Sequence, residues 1–178
     1  MTYFVGVYWG QREESRQECA SRISAFLQAL PMHDAGLSQW YKKAASRKAP
    51  LVALPCDPDG LGPLLKTNRR DIGGDAIAEL GFNFSAWTGR ETDMQASLAA
   101  TCGAYSPVVR NFVVVSFEME VSPTLDLLQG ILRSAVTAFD PEDGVVSSTD
   151  DLSAHASLPA WKVPSVFRYR RGAGFSVD

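Results

Sequence analysis

Tyr3-Phe4-Val5-Gly6-Val7-Tyr8-Trp9 places six aromatic or β-branched residues around a single glycine near the start of the chain. In an extended strand successive side chains point to opposite sides, so Tyr3, Val5, Val7 and Trp9 share one face and Phe4 and Tyr8 the other. Neither face is polar. Both are therefore expected to be covered, and the rest of the chain has to supply the covers. Gly10 allows a sharp exit, and Ser15 with Glu18 three residues on forms a capping-box pattern at the start of a helix. Cys19, Ala20, Ile23, Phe26, Leu27 and Leu30 form its apolar stripe, and Pro31 stands where the stripe ends. Leu37, Trp40, Tyr41 and Ala44 repeat that spacing and predict a shorter second helix.

An irregular connector follows, marked by Pro50, Pro55, Pro58, Gly60, Gly62 and Pro63, and residues 64–80 read as one or two helical turns interrupted at Gly73 and Gly74. From Phe82 the period becomes two. Phe82, Phe84 and Ala86 alternate with Asn83, Ser85 and Trp87, and beyond a polar turn at 88–93, Met94, Ala96, Leu98, Ala100 and Cys102 alternate with polar or small partners. That pattern predicts a β-hairpin with one buried face rather than a helix over 94–102. Residues 111–121, with Val113, Val114 and Val115 between Phe112 and Phe117, predict a strand beside the hairpin. Ser122 as cap and Pro123 at the first helical position predict a second long helix with Leu125, Leu128, Ile131, Leu132, Ala135, Val136 and Phe139 on its apolar side, ended by Asp140-Pro141. Short strands are expected at Val145-Val146 and at Val166-Phe167 to Tyr169. The predicted class is α+β, a single domain over 1–178 in which a largely antiparallel sheet carries helices packed on one side.

The 178 residues carry 17 Lys plus Arg against 20 Asp plus Glu, a formal charge of -3, which argues against a nucleic-acid-gripping protein. With 46% hydrophobic and 21% charged residues the composition is that of a folded globular chain. At this length roughly 70% of the surface of the unfolded chain becomes buried. Cys19, Cys56 and Cys102 fit neither a disulfide framework nor a zinc ribbon. Neither a signal-peptide core nor a run of about 20 apolar residues is present, so a cytoplasmic protein without membrane contact is expected.

Catalytic signatures are sparse. His33 and His155 have no second ligand at metal spacing, and no nucleophile elbow, phosphate-binding loop or dinucleotide fingerprint occurs. A dyad of Cys102 with His155, or a set of Ser, His155 and Asp150, is of a kind that any chain of this size offers, and no metal, cofactor or small-molecule ligand is expected. Glu118 and Glu120 share a strand face and define the alternative of a metal-dependent hydrolase, although no lysine lies near them and such a pair also reads as a solvated sheet edge. Asp57, Asp59 and Gly60 read as a turn rather than a calcium loop. Two charge clusters remain. Asp140, Glu142, Asp143, Asp150 and Asp151 form an acidic set, and Lys162, Arg168, Arg170 and Arg171 a basic one near the C-terminus. Solvated loops account for both in the plainer reading, and the functional reading of the acidic set is a docking surface for a basic partner.

Tyr8, Trp9, Gly10, Arg12, Glu14, Cys19-Ala20, Arg22, Phe26-Leu27, Leu30 and Trp40-Tyr41 together resemble the N-terminal pattern of the bacterial immunity protein 52 family. Gly81-Phe82, Trp87, Gly89, Cys102-Gly103 and Asn111 before a valine-rich strand resemble that family's central hairpin, and the two blocks cover roughly residues 3–120. The resemblance implies a small cytoplasmic protein, encoded beside a polymorphic or type VI secretion toxin, that binds the toxin and protects the producing cell. Toxins paired with this family commonly carry a restriction-endonuclease-like nuclease domain. The expectation is thus a non-enzymatic, stoichiometric nuclease inhibitor whose docking residues are the acidic set. Tyr8, Trp9, Gly10, Arg12, Glu14, Trp40 and Trp87 are expected to be scaffold, with Gly10 turning a corner and Arg12 pairing a carboxylate. A non-inhibitory chaperone of a secreted effector is the other rival.

Overall fold

A computed structural model describes residues 2–43, 50–67, 73–89, 95–118 and 123–177. The opening strand, β1 (Tyr3–Trp9), lies inside an antiparallel sheet, between β6 (Asn111–Glu118) and β7 (Asp143–Ser148). On the far side of β6 come β5 (Gln95–Cys102) and then β4 (Phe82–Trp87), the expected hairpin in the expected place. The short β2 (Tyr41–Lys42) and β3 (Lys66–Thr67) both pair with β4, whereas β8 (Phe167–Arg170) and β9 (Gly174–Ser176) extend the sheet beyond β7.

Both faces of β1 are covered. Val5, Val7 and Trp9 enter the main core, where two long helices, α1 (Arg16–Ala29) and α3 (Leu125–Phe139), pack side by side against the sheet. Ser15 and Glu18 close the capping box: the Ser15 hydroxyl accepts from the Glu18 amide at 3.2 Å and the Glu18 carboxylate accepts from the Ser15 amide at 2.7 Å. Those contacts hold the Glu18 carboxyl below its ordinary pKa. Phe139, at the end of α3, is fully buried, stacked on Trp9 at 5.7 Å and meeting Phe26 edge-on at 5.6 Å.

On the opposite side Phe4, Tyr8, Val145 and Val163 form a second, smaller core. Its cover is the chain after β7: a short helix, α4 (Thr149–Ala154), and a 3-10 turn at Ala160–Lys162 that lays Trp161 against Tyr8 at 5.6 Å. Burial pushes the Tyr8 phenol far above its ordinary pKa. Gly6 makes room here, since a Cβ at this position would stand 2.5 Å from the Tyr8 hydroxyl oxygen. The Tyr8 ring therefore lies back along the strand over the glycine.

Several local expectations are corrected. Leu37 and Trp40 are buried, but Leu37 ends a 3-10 turn (Ala35–Leu37) capped by Asp34, and Tyr41 begins β2 instead of a second helix. Three apolar residues at this spacing are satisfied by one turn followed by extended chain, in which Trp40 Nε1 donates to Leu37 O at 2.9 Å and Lys42 N to Val52 O at 2.9 Å. Ala44 lies outside the described residues, as do Met94, Glu120 and Ser122. The cap of α3 is Thr124, whose hydroxyl accepts from Leu127 N at 3.3 Å, so Pro123 precedes the helix and does not open it. Asp57 caps the single-turn helix α2 (Pro58–Leu61) through Gly60 N at 2.7 Å, which accounts for the Asp57, Asp59 and Gly60 cluster as a turn.

Phe139→Ala is expected to cost about 3–5 kcal/mol, because the side chain joins both helices to β1 and its cavity cannot collapse onto flat rings. Leu125→Ala, at the exposed start of α3, is expected to change stability by less than about 0.5 kcal/mol. Urea unfolding midpoints of the two variants check the contrast.

Candidate functional site

The corner that follows β1 brings the family-like residues together with the end of α3. The last carbonyls of a helix have no intrahelical partner and carry the negative end of its dipole. Here two guanidinium groups meet them. Arg12 donates to Phe139 O at 2.7 Å and to Asp140 O at 3.1 Å, and Arg22 on α1 donates to Ala138 O at 3.1 Å. Glu14, 6% exposed, stands between them, paired with Arg12 Nε at 3.2 Å and accepting from Arg22 Nε. The Arg12 guanidinium also lies 4.8 Å above the Trp9 ring. Asp140, the one non-glycine residue with positive φ among the described residues, ends the helix at φ 45°.

Asn111 locks the same corner from the sheet side. Fully buried, its amide donates to Gly10 O at 2.7 Å and Ala104 O at 2.9 Å, and its oxygen accepts from Ala104 N at 2.8 Å. Gly10 does not adopt a positive φ. A Cβ there would meet only the end of the half-exposed Glu142 side chain, at 3.3 Å. Gly103, at φ 74°, passes so near Glu14 O that a Cβ would stand 2.7 Å away. Trp40 is buried, and Trp87 donates through Nε1 to Lys42 O at 3.0 Å, fastening β2 to β4.

The acidic set does not form one patch. Asp140, Glu142 and Asp143 lie at the start of β7 and Asp150 and Asp151 beyond its other end, roughly 20 Å apart at about 3.3 Å per residue. The first three meet the arginines of the basic cluster and Arg110. β7 pairs with β8 so that Asp143 faces Arg170, with Arg170 Nε 3.8 Å from its carboxylate. Arg171 reaches the Asp140 carboxylate at 3.2 Å, and Arg110 reaches Glu142 at 2.9 Å and Asp143 at 3.7 Å while stacking on Trp161 at 4.4 Å. Arg168 is turned inward, donating to Trp161 O and Val163 O, each at 2.7 Å. Asp151 accepts from the Ser148 hydroxyl at 2.6 Å within the cap of α4, and Asp150 in the same first turn is exposed. Arg110, 32 residues from its nearest carboxylate partner, gave no local signal in the sequence.

The catalytic alternatives come out as follows. Cys102 sits in the main core, hydrogen-bonded by the Cys19 side chain, and that contact with burial pushes its thiol well above the ordinary value. His155 ends α4, its Nδ1 3.0 Å from Asp151 O. Glu118 is exposed at the end of β6 opposite Gln95, and because β6 is an internal strand the solvated-edge reading does not apply to it. Among the described residues no three His, Cys, Asp or Glu side chains converge as metal ligands, and no helix is long and apolar enough to cross a membrane.

Glu14→Gln is expected to lower stability by about 2–3 kcal/mol, somewhat below the cost of breaking a fully buried pair because both arginines retain contact with water. Glu142→Gln, in a half-exposed pair, is expected to change it by less than about 1 kcal/mol. Chemical denaturation of the two variants measures the difference.

The family model described as Immunity protein 52 matches residues 1–162, which takes in β1, the arginine-capped corner, the central hairpin, β7 and α4. No individual curated protein matches the chain. The match runs past the two blocks that carry the resemblance in the sequence and covers most of the chain, and on that ground the chain belongs to the immunity protein 52 family.

Proposed function

We propose that this protein is the cytoplasmic antidote to one bacterial toxin, a type VI secretion effector with a restriction-endonuclease-like nuclease domain, and that it acts by forming a stoichiometric complex without turnover. The observation that carries the reading is membership of an immunity-protein family across residues 1–162. The arrangement of the corner supports it indirectly. Trp9, Arg12 and Glu14 are occupied in closing β1 onto α3, Gly10 is held by Asn111, and Tyr8 is buried under Trp161 on the other face of the sheet, which leaves recognition of a particular toxin to other surfaces.

Nuclease substrate clefts are basic, and an acidic surface on the inhibitor speeds encounter with such a partner. In this reading Asp140, Glu142, Asp143, Asp150 and Asp151 supply the acidic field. Their contributions are unequal, since the first three lie against arginines whereas Asp150 is exposed. Charges of that kind change association more than residence time.

Co-expression with the toxin encoded by the neighbouring reading frame is expected to restore growth and to yield a one-to-one complex on purification. Growth arrest with no co-purification would overturn the assignment, and binding without rescue would convert the protein into a carrier. Asp150→Lys is expected to slow association with the toxin several-fold at low salt, with the difference closing as ionic strength rises. Stopped-flow association rates over a salt series measure it.

A further inference from the structure

On the outer side of the helix layer α1 and α3 do not close over one another. Ser21, Ala25 and Ala29 on α1 face Gly130, Ser134 and Ala138 on α3, and the small side chains leave a groove of about 610 Å³ open to solvent. Its polar groups are cationic or neutral. Arg22 lines one wall and Arg133 the other, and His33 crosses the floor, its Nε2 2.8 Å from the Ser134 hydroxyl and its ring in the space that a Cβ at Gly130 would need. Among the described residues no carboxylate lines the groove. Glu18, one turn before Arg22, is held on the Ser15 amide. Arg22 shares its charge with Glu14, whereas Arg133 lies over the Phe175 ring at 4.4 Å and the Phe167 ring at 5.5 Å, contacts that bring no counter-charge, and it makes no ion pair among the described residues. At the rim Met32 is 77% exposed, a soft apolar side chain of the kind that adapts to a partner surface. A cationic groove on a chain of net charge -3 runs against the average of its own surface.

We propose that the α1–α3 groove docks an acidic segment of the cognate toxin, one that seats an apolar side chain on the Ala25–Ala29–Gly130 floor beside Met32 and sets carboxylates against Arg133 and Arg22. The proposal rests on the immunity reading and adds the contact surface to it. The acidic set acts on encounter from a distance, and the groove holds the complex once formed. The toxin element it selects is acidic, so it lies apart from the basic cleft that grips nucleic acid, and the cleft need not be plugged by this chain.

The test measures binding of the full chain to the cognate toxin, inactivated in its nuclease site, by biolayer interferometry. Ala25 is exposed, so Ala25→Trp fills the groove without entering the core. It is expected to weaken binding by about 100-fold, mainly through faster dissociation, at an unchanged melting temperature. Arg133→Glu is expected to weaken it by about tenfold or more, and Arg133→Lys to retain most of the affinity. A carboxylate-to-lysine change in the toxin segment should restore binding to Arg133→Glu. Wild-type affinity in both Ala25→Trp and Arg133→Glu would overturn the groove while leaving the immunity reading intact. Failure of the wild-type chain to bind would overturn both. Self-association of the chain alone that Ala25→Trp abolishes, with toxin binding unimpaired, would assign the groove to a second copy and overturn the proposal.

Discussion

Strand β1 has nearly continuous apolar side chains on both sides of the sheet, and a strand of that kind is stable only when each side has its own cover. The remaining architecture answers this requirement. The two amphipathic helices are delivered to one side, where Phe139 joins Trp9 and Phe26 into a single contact. The segment after β7 crosses to the other side and sets Trp161 on Tyr8. Each cover is fixed by chemistry other than apolar contact: guanidinium caps on the carbonyl end of α3 in one case, Arg168 on the carbonyls of Trp161 and Val163 in the other.

The motif corner ties β1, α1 and α3 together through buried charge. Glu14 is buried between two arginines, and each arginine bonds a different carbonyl of the same helix end. A change at any member leaves a charge or a carbonyl without its partner, and the penalty falls on the junction of β1, α1 and α3. Residues under that constraint have little freedom to vary. On the outer faces of α1 and α3, Ser21, Ala25, Ala29, Gly130 and Ser134 are small and partly or fully exposed and lie outside that charge network, although Arg22 beside them belongs to it.

The elements legible in the sequence were those whose pattern is local. Cys19 to Leu30 and Leu128 to Phe139 keep a helical period over three turns or more, and Phe82 to Cys102 keeps a period of two on either side of a polar turn, so each has the form its spacing predicts. Leu37 to Tyr41 misled because three apolar residues do not separate a helix from a buried turn entering a strand, and the pairing of Tyr41 with Trp87 that decides the matter lies 46 residues away. The pairing between the two charge clusters was hidden for a related reason. Asp143 and Arg170 are unremarkable until β7 and β8 bring them opposite one another, after which much of what looked like two solvated or interacting segments is one internal balance. The groove gave no sequence signal, because small residues on an outer helix face read as good helix formers and nothing more.

The terminal hairpin, β8 with β9, lies beyond the matched stretch, which ends at residue 162, and it pairs along β7 with Phe167, Tyr169 and Phe175 packed against the main core. Without it β7 would be an outermost strand whose row of amide and carbonyl groups faces outward beside Val145 and Val146, an invitation to intermolecular sheet growth. The three-residue β9, preceded by Arg170 and Arg171 and followed by an exposed Val177, offers a much shorter and more charged margin. The hairpin thus acts as a selvage: it finishes the sheet against fraying into its neighbours.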